Sequence, residues 1–462
     1  MGTRVASSTS TYNEALERGG EVRGPYRPLF EAMERMGPGM MAERHARAEE
    51  KLREIGATFP LPDADGQGDR VLPVDWVPRL LPHDHWQKLS AGLLQRGKAL
   101  NSWLVDLYNG HQDIVPEEVV GSSVYLRPYP LPEGSVPVHV YGPDVVHLGD
   151  GEYLVLEDNV RVPSGIAYSE AVRRAGLAVM KELYSPYRVN GIYAYYGMLR
   201  ATLEAAAPGV DDPFVVVATG GPGDPAFFEH ARIARECGLR LVTPDDLYVR
   251  GDEVLAKPEG RIVDVIYRRL DDGQLFSELP EIEALYRSGE VALANTPGVG
   301  VADDKAVFSY VPAMVERYLG EKPILESVHT LSLGDPGQLS ETLEHLPELV
   351  IKPREGFGAK GVLVGPEADR EAVERTRRAV EENPMGFVAQ ECLDFSTHVL
   401  DGGRQGEDEA FVDLRAFVLP AVDYVMPGGL TRVAPRGTRV VNSSAGGGFK
   451  DTWVLDADPE AD

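Results

Sequence analysis

The chain has 462 residues, 43% hydrophobic and 26% charged, which excludes a disordered polypeptide and leaves room for two or three domains with a sizeable core. A formal net charge of −27 argues against non-specific binding to nucleic acid or to an anionic membrane. There is no run of about 18 apolar residues to span a bilayer, no signal-peptide core, and no C-x-x-C between the two cysteines, Cys237 and Cys392. A cytoplasmic protein with small-molecule partners, and with neither nucleic acid nor membrane, is expected.

Residues 12–56 read as helical and charged, 61–69 as a turn, and 77–108 as helical after Pro78 and Pro82, so the region 1–135 is expected to be mainly helical. His83-x-His85 lacks a nearby third ligand and reads as a capping or surface feature. Val136–Tyr141 and Tyr153–Leu156 read as strands flanking Asp144 and the turn Gly149-Asp150-Gly151. The second strand runs into Glu157-Asp158-Asn159, where Glu157 and Asn159, two apart on an extended segment, face one side. With Asp144 they form a small set of hard oxygen donors, suited to Mg²⁺ bound together with phosphates. A polar loop held by Asx turns accounts for the same residues.

From 166 to 298 the pattern is that of a Rossmann-like α/β domain. A helical stretch from Ala167 to Ala207 leads to an apolar strand, Phe214–Ala218, and a glycine-rich turn, Thr219–Asp224. A helix closed by Gly238 and the strand Leu239–Val242 complete a βαβ unit, and strands at 262–267 and 291–295 continue it. The turn departs from the dinucleotide fingerprint in its prolines and glycine spacing. Beyond Val301, Asp303 or Asp304 caps a helix whose first turn holds Lys305, a cation where the helix dipole favours anions.

Leu349–Val362 is a strand ending in Lys352, then a loop with Gly356, Gly358, Lys360 and Gly361, then a second apolar run. Glycines allow close backbone approach to a polyanion, yet no P-loop pattern is present, and a hairpin with solvated lysines fits equally. A charged helix at 367–383 and a strand at 386–393 follow; beyond an acidic loop, 401–409, a strand at 411–420 places Asp413 and Arg415 on one face. Arg432, Arg436, Arg439, Asn442, Gly446, Gly447 and Lys450 then form a basic, glycine-rich cluster fit for a multiply charged anion, or a basic surface loop.

Taken in order, these motifs resemble an ATP-grasp enzyme. Asp304-Lys305, Ile351-Lys352-Pro353 with its glycine loop, Gln390-Glu391, Asp413-x-Arg415, Arg432 and Asn442-x-x-x-Gly446-Gly447 follow the family order. The terminal Glu-x-Asn piece stands instead near the front, as Asp144 and Leu156-Glu157-Asp158-Asn159, with Pro163-Ser164-Gly165 after it. The chain is therefore similar to the circularly permuted ATP-grasp family, relatives of glutathionylspermidine synthetase-like ligases, from about Tyr26 to Leu455.

This resemblance implies a circularly permuted ATP-grasp fold of α/β class, built of α+β lobes. Its parts are an N-terminal helical segment (1–135), the relocated core piece (136–165), a Rossmann-like pre-ATP-grasp domain (166–298) and the nucleotide-binding lobes (299–462). Residues near Val136 are then expected to continue the sheet that Val454 leaves. The resemblance also implies ATP held by Lys305, Lys352, Gly356, Gly358, Lys360, Gly361, Gln390 and Glu391, and one or two Mg²⁺ held by Asp144, Glu157 and Asn159. Arg432, Arg415 and Asn442 would serve catalysis; Arg161, Ser164, His147, Gly446 and Gly447 would meet substrate. His147 stands where the family has an arginine, which bears on substrate identity. The implied activity is ligation of a carboxylate to an amine through an acyl phosphate, on a peptide, amino acid or polyamine-like substrate. A phosphotransferase without ligation and a non-catalytic nucleotide-binding scaffold are the alternatives.

Overall fold

A computed structural model describes residues 11–59, 70–127, 129–132, 134–207, 209–356, 360–401, 408–441 and 447–457, with the side chains of Phe59 and Arg70 excepted. Its centre is a seven-stranded sheet in the order Glu326–Ser327, Glu152–Glu157, Asp144–Gly149, Glu409–Arg415, Leu430–Val433, Gly448–Lys450, with Thr397–Val399 also paired to Glu409–Arg415. The hairpin at 144–157 thus enters a sheet otherwise built largely from the last third of the chain. Arg415 lies opposite Asp144, Asp144 opposite Glu157, and Asp413 opposite Arg432. Side chains alternate along a strand, so Asp413 and Arg415 share one face with those partners, while Val412 and Leu414 turn to the core.

A smaller antiparallel sheet has the order Thr330–Ser332, Phe387–Glu391, Leu349–Pro353, Leu363–Val364. Its own core, including Leu346, Ile351, Leu363, Val373 and Val380, is shared with the helix Arg370–Glu382. The third unit is the parallel sheet Ala292–Ala294, Val265–Arg268, Val215–Ala218, Arg240–Val242. The helix Phe227–Cys237 returns the chain from its third strand to its fourth and stops at Gly238, whose φ of 65° is the left-handed conformation of a helix C-terminus.

The helix His83–Tyr108 buries Leu89, Leu93, Leu100, Trp103 and Leu104, a helical spacing, and packs on Val311–Leu319 through Val311, Met314 and Val315. A side chain at Gly92 would strike Leu325 Cγ at 2.4 Å, so this contact demands glycine. The largest core cluster draws on Leu29 and Trp76, on Tyr168 and Val217, and on Phe417 and Trp453. Hydrophobic packing therefore runs through regions that the sequence pattern sets apart.

Three local expectations are corrected. The first long helix begins at Arg27, not near residue 12, and breaks at Gly37-Pro38. The segment before it is pinned by buried Glu14, which accepts from Arg79 Nε and Nη2 (2.7 and 2.6 Å) and from Ser396 Oγ (2.5 Å). Residues 136–141 form no strand; the strand is Asp144–Gly149. The Asn295 amide accepts from His139 N (2.8 Å) and Val140 N (2.9 Å) and donates to Val140 O (2.6 Å), which satisfies these peptide groups without a ladder. Finally, Thr452–Val454 pairs in parallel with Arg79–Leu81, expected to be helical, rather than with residues near Val136.

Asp158 fixes how the hairpin leaves the sheet. It is buried and accepts from Arg96 Nε and Nη2 (2.7 Å each) and from Tyr141 Oη (2.6 Å). Anchoring this middle residue inward leaves Glu157 and Asn159, its neighbours on an extended segment, on the opposite side. Asp158→Ala strands the Arg96 guanidinium without its counter-ion, so urea denaturation should show a loss of about 3–5 kcal/mol; a loss under ~1 kcal/mol would show that this pair does not anchor the segment.

Candidate functional site

Where the central and smaller sheets meet lies a cavity of about 920 Å³. Of the sequence-predicted residues it is lined by Asp144, Glu157, Asn159, Arg161, Ser164, Lys305, Lys352, Gly356, Lys360, Gln390, Glu391, Arg415 and Arg432. Asp144 and Lys352, far apart in the chain, thus share one cavity. Gly358, Asn442 and Gly446 lie outside the described residues. Gly361 and Gly447 are not among the lining residues.

The central-sheet register assembles the acidic and basic groups. Arg415 donates from Nε (2.7 Å) and Nη2 (2.6 Å) to the two oxygens of Asp144. Arg432 reaches Asp144 Oδ2 at 2.9 Å and grips Asp413 through both Nε (2.9 Å) and Nη2. Burial pushes the Asp144 carboxyl up, but the two guanidiniums overcome it and hold its pKa below the usual range. Asp413 has less compensation, and burial keeps its pKa raised.

Across the cavity, Lys305 Nζ pairs with Glu157 Oε1 at 2.9 Å. Lys305 opens the short helix Lys305–Phe308, which Asp304 caps by accepting from Ala306 N (3.0 Å). The Asp304 carboxylate also takes Arg354 Nε (2.9 Å) and Nη2 (2.8 Å). Arg354 follows the strand Leu349–Pro353, so this buried pair ties the element bearing Lys305 to the one bearing Lys352. Sequence reading passed over Arg354, because nothing local marks an arginine two positions beyond a lysine as a tie to another element. Lys352 is half-buried and makes no hydrogen bond or ion pair with any described residue. Burial draws its pKa down, and Lys305 adds to this while Glu157 opposes it. A desolvated lysine facing a cavity without a counter-ion is relieved by an entering anion.

Gln390 donates from Nε2 to Thr330 Oγ1 (3.0 Å), and Glu391 Oε1 accepts from His329 N (3.4 Å). Asn159 Nδ2 is buried with no partner among the described residues. Arg161 reaches Asp303 at 3.2 Å and lies over the Tyr125 ring; Ser164 Oγ accepts from Arg269 Nη2 at 2.6 Å. Cys392 also lines the cavity, and burial pushes its thiol pKa up.

Other expected positions fall elsewhere. His147 is buried behind the sheet, 3.1 Å from Glu14 and stacked on Tyr153, and does not line the cavity. Its strand position turns the ring to the face opposite Asp144. Lys450 is no anion ligand: it is fully buried against Asp75 and the carbonyls of Val77 and Val399. Arg436 pairs with Asp408 (2.8 Å), while Arg439 lines the cavity but is engaged by Asp394 (2.8 Å) and Glu367 (3.3 Å). His83 meets Gln87 and His85 meets Tyr153, and the described residues hold no cluster of three or more His, Cys, Asp or Glu fit for a metal. Two carboxylates in register and one amide therefore cannot make an all-protein cage. Such a donor set fits a hard cation, such as Mg²⁺, that takes the rest of its shell from phosphate and water.

The family model described as circularly permuted ATP-grasp type 2 matches residues 78–434. The chain belongs to this family. It is 41% identical over 96% of its length to a Frankia casuarinae protein named "Putative glutamate--cysteine ligase 2-2", and spans about half the length of that protein and of a Frankia alni relative. An uncharacterized Synechocystis sp. protein is 38% identical and is covered over 97% of its length. Among solved structures, a glutathione synthetase-like effector from Globodera pallida matches with a TM-score of 0.56 over 91% of this chain and 98% of that one, at 13% identity, a likeness of fold alone. The α/β architecture, with the hairpin at 144–157 inside the central sheet, is that of a circularly permuted ATP-grasp protein. No helix among the described residues is long and apolar enough to cross a membrane.

Asp303 was considered from sequence only as a cap; the structure places its carboxylate in the cavity wall, accepting from Val160 N (2.6 Å) and Arg161. Burial raises its pKa from 3.8 to about 6 despite Arg161. The folded state thus holds an extra proton between these values. That stabilisation is complete below pH 3.8 and is lost as pH rises through 6. Asp303→Asn, which does not titrate, should gain stability relative to the wild type between pH 4 and pH 7, by on the order of 1–3 kcal/mol in denaturant melts. A stability difference that is flat across this range would contradict the assignment.

Proposed function

We propose that this ATP-grasp protein is an ATP-dependent carboxylate–amine ligase. The observation that carries the reading is that Lys352, a desolvated cation unpaired among the described residues, shares one cavity with Lys305, with the in-register carboxylates Asp144 and Glu157, and with two arginines. A polyanion together with a divalent cation complements both halves of this set. The names of the Frankia relatives and the family membership agree with ligation.

In this reading Lys305 and Lys352 hold phosphate oxygens, and the backbone around Gly356 with Lys360 covers them. Gln390 and Glu391, on the strand beside Lys352, meet adenine and ribose. Asp144, Glu157 and Asn159 are the residues that would hold Mg²⁺, which when bound supplies positive charge between the phosphate oxygens. Were those carboxylates to hold a cation, Lys305, Arg415 and Arg432, now paired with them, would be free to meet phosphate. Arg415 and Arg432 oppose the charge of the phosphoryl group as it moves to the substrate carboxylate. The amine nitrogen then bonds to the acyl carbon as the C–O bond to phosphate breaks, and phosphate leaves with that electron pair and takes up the proton the nitrogen sheds. Positioning and electrostatics suffice, so Cys392 needs no nucleophilic role.

Two measurements test this. Mg-ATP should raise the melting temperature more than Mg-GTP or Mg²⁺ alone; no ATP-dependent rise would remove the basis for nucleotide binding here. Glu157→Gln and Asn159→Ala should each keep the fold, by circular dichroism, and lower ATP-dependent phosphate release with pooled carboxylates and amines at least a hundredfold, about 3 kcal/mol of barrier. Near wild-type release in either variant would contradict the metal assignment.

A further inference from the structure

The cavity also reaches the parallel sheet, through Asp224, His230, Arg269 and Asp271, an end that the phosphate chemistry does not use. The chain leaves Val215–Ala218 for Arg240–Val242 on one side and returns as Val265–Arg268 on the other. The boundary between 215–218 and 265–268 is therefore a topological switch point, where the loops from two carboxyl ends diverge and open α/β sheets take their ligands. Asp224 lies in the loop after the first strand; Arg269 and Asp271 directly follow the second.

The charges in this crevice select the ligand. Arg269 is fully buried and its charge is met: it pairs with Glu229 at 3.0 Å and donates to Pro163 O (2.9 Å) and Ser164 Oγ (2.6 Å), while its Nε has no partner among the described residues. It holds the wall and offers no net positive charge. Asp224 uses one oxygen on Ala226 N (2.8 Å) and Asp271 one on Gln274 N (2.9 Å), and no ion pair with a described residue reaches either. His230, 2% exposed, engages Thr219 Oγ1 through Nδ1 (2.8 Å), and no described residue bonds its Nε2. Burial, with Arg269 nearby, keeps this ring neutral. This ring nitrogen, on the wall of the cavity and without a partner among the described residues, is open to a ligand or to water. Two uncompensated carboxylates favour a cationic hydrogen-bond donor over an anion, and His230 Nε2 accepts from it in the tautomer that carries its proton on Nδ1, toward Thr219 Oγ1.

We infer that the switch-point crevice binds the ammonium end of the amine substrate, with Asp224 and Asp271 supplying charge and His230 a hydrogen bond. This rests on the ligase reading for the word substrate, while the binding itself is separable. The carboxylate to be activated then lies toward Arg415 and Arg432, and the bound ammonium sheds one proton, for which Asp224 and Asp271 are the acceptors at hand, before its nitrogen attacks the acyl carbon.

The test uses the full chain and three probe sets in isothermal titration: free amino acids, their methyl esters, which keep the ammonium, and N-acetyl amino acids, which lack it. At least one ester should bind the wild type, and its N-acetyl counterpart at least tenfold more weakly. The double variant Asp224→Asn, Asp271→Asn keeps the capping oxygens but not the charges, so it should fold, retain the Mg-ATP melting shift and weaken ester binding at least tenfold. Equal ester affinity in the variant, equal binding of N-acetyl acids, or no ester binding at all would overturn the ammonium site. Should Mg-ATP give no melting shift while ester binding still depends on the two aspartates, the ligase reading falls and the ammonium site stands.

Discussion

The pairing of Asp144 with Arg415, 271 residues apart in sequence and directly opposite across two antiparallel strands, is the contact on which the site depends. It docks a hairpin from the first third of the chain into a sheet from the last third. Because side chains alternate along a strand, a slip of one residue in this register would turn Asp144 and Glu157 to the core face and leave the arginines without partners. The bidentate geometry at 2.6–2.7 Å and the burial of Val412 and Leu414 on the other face make that slip costly twice over. Permutation of the chain order is thus compatible with the site, since the register requires spatial adjacency and not sequence adjacency.

Around this row the cavity is close to electrostatic balance. Glu157 has Lys305, Asp144 and Asp413 share Arg415 and Arg432, and Asp303 has Arg161. Beside this row two groups stand outside the balance, Lys352, desolvated without a counter-ion among the described residues, and Asp303, whose burial outweighs its arginine; at the far end of the cavity so do Asp224 and Asp271. Perturbed groups of this kind gather where ligands complete the charge, and they cost stability in the free protein. The pair Asp304–Arg354 is of the other kind, fully buried and mutually satisfied; it serves geometry by fixing Lys305 relative to Lys352.

The parallel sheet contributes a different constraint. Its switch point opens toward the same cavity because the turn Pro163-Ser164-Gly165, leaving the hairpin, is held against that sheet by Glu229, which accepts from Gly165 N (2.6 Å), and by Arg269. One buried ion pair therefore sets how the end of the relocated segment meets the third unit.

Much of this was legible in the sequence where the signal is local. The βαβ pattern, the strand ending in Lys352, a cap at Asp303 or Asp304 before Lys305, and the same-face placement of Asp413 with Arg415 all follow from spacing along one element, because periodicity and capping depend only on neighbours in the chain. The order of the motifs carried the family. Tertiary structure alone decided which polar groups face the cavity and which face a distant counter-ion. Spacing set Asp158 on the face opposite Glu157 and Asn159, but only the tertiary structure supplied Arg96 as its partner. Lys450 looked like an anion ligand until Asp75 buried it, and His147 turned away from Asp144 to Glu14. The residues near 136 lost their strand to the Asn295 side chain, and those at 79–81 gained one from Thr452–Val454. A sequence determines which side of its own element a residue occupies; what stands opposite is set by long-range packing and register, and a charge takes its role from that opposing partner.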